Sequence, residues 1–202
     1  MMEKSAILEK IKPHLCLCEW GDADTEDILH DIMIAVENKL PAISVLPAVL
    51  PVMSSLADTN TRVLAFTDKP DMLPSLSEKK ITAQLFVSKP NTGADTGAIL
   101  SFTLKDISHL DLEQIISCGH SMRGFLFIDE KGRFLHKFYD FLNLAETSFA
   151  GELHYCAGTN DIEILENARR LVEKVRPDLL PNLHLFVTAD FFKNLDNGRK
   201  SI

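Results

Sequence analysis

The chain has 202 residues, 46% of them hydrophobic and 25% charged, with a formal net charge of −8. That balance suits one well-buried globular domain over residues 1–202, and the acidic total argues against nucleic acid or an anionic membrane as the main partner. No apolar run approaches the roughly 18 residues that a membrane span needs. The first residues carry Glu3, Lys4, Glu9 and Lys10, unlike a signal peptide. Cys16, Cys18, Cys118 and Cys156 lie mostly within apolar runs and read as reduced thiols of a cytoplasmic protein.

In chain order, Ser5 to Ile11 predicts a short amphipathic helix that stops at Pro13, and His14 to Trp20 a first strand. A loop, Gly21-Asp22-Ala23-Asp24, leads to a helix over about Thr25 to Asn38. Asp24 or Thr25 serves as its N-cap, with Glu26 and Asp27 in the positive first turn. Lys39 to Phe66 is the most legible unit: a strand at Ala42–Leu46, helical spacing over Val49–Leu56, a turn at Asp58-Thr59-Asn60, and a strand at Val63–Phe66. Two apolar strands joined by a crossover must lie parallel.

An irregular helix before Lys80 is followed by a fourth strand at Ala83–Val87 and a loop over Pro90–Gly97. Further strands are expected at Ala98–Leu104, Phe125–Ile128, Leu153–Ala157 and Leu183–Val187. Helices are expected near Asp111–Ile116, over Arg133–Leu144 and over Asp161–Val175, then a polar C-terminal tail. Eight short strands alternating with helices is the count of an α/β protein of the compact (β/α)8 TIM-barrel type. An open doubly wound sheet is the alternative, but the first turn, Trp20-Gly21-Asp22, has no glycine-rich phosphate loop.

Two segments carry a family resemblance. Trp20 to Ile28 (WGDADTEDI) and Val45 to Pro51 (VLPAVLP) resemble the deoxyribose-phosphate aldolase family, class I aldolases built on a (β/α)8 barrel. The resemblance implies an aldolase-like barrel in which a lysine amine on the sixth strand condenses with a carbonyl substrate as a Schiff base. Phe127 falls near that lysine position, the second family lysine would lie on Glu152–Ala157, and the catalytic aspartate would fall close to Ala83. All three roles look vacant. The resemblance therefore implies a divergent barrel that acts on or binds a small phosphorylated carbonyl metabolite without the Schiff-base lysine. If it is an enzyme, the activity is lyase-like or isomerase-like on a sugar phosphate; otherwise the barrel is a ligand-binding or protein-interaction module. No cofactor is expected, and homo-oligomerisation is left open.

Barrel sites sit at the C-terminal ends of the strands. The polar residues expected there are Glu19, Asp68, Lys69, Lys105, Asp129, Glu130, Tyr155, Thr159, Asn160, Thr188 and Asp190. Glu19, beside the single tryptophan Trp20, is the first choice for a general base, with Tyr155 or Asp129 as partner. Lys105 or Lys69 would have to replace a missing amine, but a solvated loop lysine is the favoured reading of each, since neither has an apolar run on both sides to lower its pKa. Gly158, Thr159 and Asn160, with Thr188 nearby, are the candidate phosphate cradle before a strong helix; the alternative is an ordinary N-cap from Asn160 or Asp161. His14, Cys16 and Cys18 share one strand face, as do His154 and Cys156. Their spacing matches no zinc pattern, and no metal is expected.

Overall fold

Eight parallel strands close into a barrel in sequence order. They are β1 (Leu15–Glu19), β2 (Ala42–Val45), β3 (Arg62–Thr67), β4 (Thr82–Phe86), β5 (Ile99–Thr103), β6 (Gly124–Asp129), β7 (Glu152–Ala157) and β8 (Leu183–Val187). The computed structural model describes residues 2–21, 24–53, 60–87, 97–118, 123–145 and 149–199. Closure is made by β8 on β1, with Leu15, Cys16 and Leu17 opposite Leu185, Phe186 and Val187. The helices are α1 (Met2–Ile11), α2 (Thr25–Glu37), α3 (Leu73–Glu78), α4 (His109–Cys118), α5 (Leu135–Ala145), α6 (Ile162–Val175) and α7 (Ala189–Arg199).

The local chemistry explains these boundaries. Asp24 caps α2, its carboxylate accepting from Glu26 N and Asp27 N at 3.0 Å each, which decides between the two cap candidates. Helix α6 buries Leu165, Ala168 and Val172, the face its periodicity predicts. Helix α5 lays Phe138, Phe141, Leu142 and Ala145 against the barrel wall. There they meet Phe125 and Phe127 of β6; the Phe127 and Phe141 ring centroids are 4.6 Å apart. Each such fully buried ring contributes on the order of 2–3 kcal/mol.

Two expectations change. The link after β2 starts as a 3-10 turn, Pro47–Val49, rather than an α-helix. Pro47 and Pro51 each lack the N–H that an α-helical ladder needs. The rest of the helix expected over Val49–Leu56, from residue 54 on, and most of the turn at Asp58-Thr59-Asn60 lie outside the described residues, as do Asp22, Ala23 and residues 90–96 of the Pro90–Gly97 loop. The polar stretch after β8, expected as a tail, folds as α7, whose own Phe191 and Phe192 are buried. No described helix is long and apolar enough to cross a membrane.

Candidate functional site

Parallel barrel strands are buried on both faces, so the direction of each side chain must come from contacts. One apolar cluster joins Cys16, Cys18, Ala42, Leu64, Ile99, Leu126, Cys156 and Phe186, contributed by seven strands and no helix. These residues fill the barrel interior. Their neighbours in each strand, such as Leu17, Ile43, Ala65, Leu85, Phe127 and Leu185, pack instead in the cluster that includes the helices.

A column of polar side chains runs up through this interior. At the N-terminal end, Glu152 accepts from Arg62 Nη1 at 2.8 Å and from Arg123 Nε at 2.7 Å. His154 Nε2 lies 3.2 Å from the same carboxylate, and its Nδ1 lies 2.9 Å from the Gln84 amide nitrogen across the barrel. Ser44 donates to Gln84, and Trp20 Nε1 donates to Ser44 Oγ at 2.8 Å. Burial works to raise the Glu152 carboxyl, but its hydrogen bonds from His154, Arg62 and Arg123 outweigh it and hold the group well below the usual carboxylate range. Burial pushes the His154 imidazole down, and pushes His184 down to about 3 with help from repulsion by His154.

The C-terminal mouth is roofed by aromatic rings. Trp20 and Phe66 stack with centroids 4.3 Å apart, and Phe86 leans on Phe66 at 6.2 Å. Two depressions flank this roof. One, about 560 Å³, lies over the ends of β2 to β4 and is lined by Pro47, Phe66, Asp68, Lys69 and Phe86, among others. The second, about 210 Å³, lies at the ends of β5 and β6 and is lined by Thr103, Lys105, Glu130, Lys131, Arg133 and Phe134. Three cations and one carboxylate thus share a small groove with a hydroxyl and an aromatic ring. Lys137, beneath it, donates to the carbonyls of Leu104, Lys105 and Ile107 at 2.6–3.0 Å and so pins the loop that carries Lys105.

Over its whole length the chain superposes on a provisionally assigned deoxyribose-phosphate aldolase from Toxoplasma gondii. The TM-score is 0.70 at 10% identity, with 99% of that chain covered. A second structure of such a protein from the same organism gives 0.70 at 11% identity, covering all of this chain and 97% of the other. One from Coccidioides immitis gives 0.52 at 11% identity, covering 94% and 85%. The fold is that of an aldolase-like (β/α)8 barrel. No family model and no curated protein matches the sequence.

Within the aldolase-like barrel, the positions that the resemblance sets near the family's sixth-strand lysine and its aspartate do not face the interior. Phe127 and Ala83 pack toward the helices, not into the interior; the inward residues of those strands are Leu126, Ile128, Gln84 and Phe86. A register slip of one residue moves every side chain to the opposite face. Tyr155 and Asp129 do meet, but outside the barrel wall. Tyr155 OH donates to Asp129 at 3.0 Å, and the same carboxylate accepts from Arg133 N at 3.0 Å and Phe134 N at 2.9 Å, anchoring the loop that opens α5. Both residues are fully buried, and burial together with the Asp129 charge raises the Tyr155 phenol.

Glu19, on β1, also faces outward, toward α2, whereas Tyr155 and Asp129 stand on β7 and β6. Burial raises its pKa to about 7, aided by a hydrogen bond to, and repulsion from, Asp31, whose carboxylate lies 3.4 Å from Lys193 Nζ. Asp190 is the second carboxylate near that lysine, at 3.8 Å. Because the folded state holds the Glu19 proton more tightly, this group's contribution is favourable at low pH and is lost as pH rises from about 4.5 to about 7. A Glu19→Gln variant should flatten that part of the stability profile and, with screening of a half-exposed group allowed for, gain about 1 kcal/mol at pH 8. Urea unfolding at pH 5 and pH 8 reads both effects; an unchanged slope would show that the Glu19–Asp31 contact carries no proton linkage.

The loop after β7 resolves toward capping. Asp161 accepts from Glu163 N at 2.9 Å and occupies the N-terminus of α6. Asn160, in the left-handed region at φ 51°, bridges to β8: its amide donates to Thr188 Oγ1 at 2.5 Å, and its oxygen accepts from Thr188 N at 3.0 Å. Gly158 and Thr159 are exposed, and a Cβ at Gly158 would sit 2.8 Å from the Glu130 carbonyl. The polar atoms offered to a phosphate by Asn160 and Thr188 are therefore engaged with each other.

Among the cysteines and histidines, Cys18 and Cys156 sulfurs lie 3.9 Å apart in the interior, and Cys16 lies 3.5 Å from His184 Nδ1. His14 instead reaches the Leu183 carbonyl at 3.2 Å. Lys69 and Asp68 are exposed on the larger depression, and Lys105 and Glu130 on the smaller. Sequence reading missed Arg62, Gln84, Arg123, Lys131, Arg133 and His184. Polar residues spaced two apart, such as Thr82 and Gln84, or Glu152 and His154, were the signal that these strands turn a polar face inward.

Proposed function

We propose that this aldolase-like barrel binds a small phosphorylated metabolite at its C-terminal rim, without a Schiff-base lysine. The rim groove carries the reading. Lys105, Lys131 and Arg133 supply three positive charges around about 210 Å³, room for a phosphoryl group, and Thr103 and Glu130 offer partners for sugar hydroxyls. None of the eight strands contains a lysine. Among the described residues, those packed with Trp20 and Phe66 in the interior are apolar side chains and cysteines, Cys156 and Phe186 among them. The names of the structural neighbours suggest deoxyribose phosphate as the first ligand to try. A reducing, cytoplasmic setting suits the free thiols of Cys16, Cys18 and Cys156.

Calorimetric titration tests this reading. Deoxyribose phosphate should bind and unphosphorylated deoxyribose should not, and the pair Lys131→Ala with Arg133→Ala should weaken binding about tenfold or more. Borohydride with the carbonyl ligand should add no mass. A fixed adduct on any lysine would restore the Schiff-base mechanism, and unchanged affinity in the double variant would move the ligand away from the groove. A second reading, an interaction module or homo-oligomer, is favoured by Leu29 and Met33, which stand one helical turn apart on α2 and are 40% and 57% exposed. Sedimentation of wild type against Met33→Glu separates the two.

A further inference from the structure

We propose that Glu152, His154 and His184 form a binding site for one divalent ion of the zinc class in the N-terminal half of the barrel interior. One ligand atom from each residue lies within 4.8 Å of the others. The backbone fixes the arrangement. Glu152 and His154 are two residues apart on the inward face of β7, and His154 pairs in register with His184 on β8, their rings meeting edge to face at 4.7 Å. Two imidazoles and a carboxylate with an open position are a donor set that zinc and its first-row neighbours take. The Glu152 side chain is 17% exposed and His184 is half-buried, so the cluster communicates with solvent through the N-terminal mouth.

Outer contacts orient each ligand, as metal sites require. Gln84 faces the far nitrogen of His154, and Cys16 faces Nδ1 of His184. Arg62 and Arg123 hold the two oxygens of Glu152. Capture by His154 Nε2 places that ring's single proton on Nδ1, with the Gln84 amide turned so that its oxygen accepts it and its nitrogen faces Ser44. The ion then replaces the present His154–Glu152 contact. The two guanidinium groups oppose a dication, so the site favours the ions that bind nitrogen donors most tightly and leaves a charge signature. The cluster is separate from the rim groove and does not depend on the reading proposed for it.

That signature provides the test. The full-length protein, stripped with chelator, is titrated with Zn2+ by calorimetry and with Co2+ by its visible absorption. One equivalent should bind, His184→Gln should weaken binding on the order of 100-fold, and Arg123→Gln, at a side chain 46% exposed, should tighten it about tenfold. Circular dichroism confirms that both variants are folded. A lack of stoichiometric binding, or binding unaffected by His184→Gln, would overturn the site and leave the cluster as an internal ion network. Tightening in Arg123→Gln with loss in His184→Gln is a pattern that adventitious surface histidines do not produce.

Discussion

Asp129→Ala should destabilise the protein by about 3–5 kcal/mol, a large share of the 5–15 kcal/mol that holds a typical domain folded. The reason lies in what the carboxylate serves. It is fully buried and accepts three hydrogen bonds, from Tyr155 OH and from the backbone N–H groups of Arg133 and Phe134. Alanine leaves a buried phenol and two amides without partners, and the β6–α5 loop loses its anchor. Tyr155→Phe removes one donor and leaves the carboxylate two others, so it should cost only about 1–2 kcal/mol. Because the two residues share one bond, their effects should be non-additive. Chemical denaturation of the two single variants and the double variant reads all three numbers. A neutral or stabilising Asp129→Ala would show that these three hydrogen bonds contribute little to the folded state. The loop that Asp129 holds carries Arg133, so the same variant should also weaken the phosphate binding proposed for the rim.

Why the barrel was legible and its interior was not follows from one property of parallel strands. Runs such as Ile99–Thr103 and Gly124–Asp129 are apolar on both faces, so their lengths and spacing announce strands while their alternation announces nothing. A count of eight runs sufficed for the topology. Phe127 and Ile128 are both large and apolar, and only packing against Phe138 and Phe141 shows that Phe127 is the outward one. The placement of Glu19, Asp129 and Tyr155 was hidden for the same reason: each lies in its strand one residue out of phase with the inward-facing set. The caps were readable, because Asp24 and Asp161 act on amides two or three residues away. The rim groove was not. Lys105 comes from the end of β5, while Lys131 and Arg133 come from the β6–α5 loop, and only the closed barrel makes neighbours of them.

The two faces of β6 differ enough to decide whether the chain folds. Phe127→Lys should unfold the protein, whereas Ile128→Lys should leave a folded barrel. Phe127 is fully buried, with Phe102, Phe125, Phe138 and Phe141 around it. A lysine there loses a ring worth about 3–5 kcal/mol and drives an ammonium among four phenylalanine rings, which together exceed an ordinary domain's margin. Ile128, one residue on, belongs to the inward set beside Trp20 and Phe66 and is only half-buried. Its lysine can extend along apolar neighbours and keep the amine at the mouth, at a cost of about 1–2 kcal/mol. Circular dichroism and thermal melts distinguish the pair directly; a folded Phe127→Lys beside an unfolded Ile128→Lys would invert the register of β6. The surviving variant is informative in its own right. It places an amine at the C-terminal mouth of an aldolase-like barrel, in the apolar surround of Trp20 and Phe66, where low polarity depresses a lysine pKa. If deoxyribose phosphate and borohydride then fix a mass on Lys at position 128 but not on the wild type, the scaffold retains the geometry for Schiff-base chemistry and lacks only the amine.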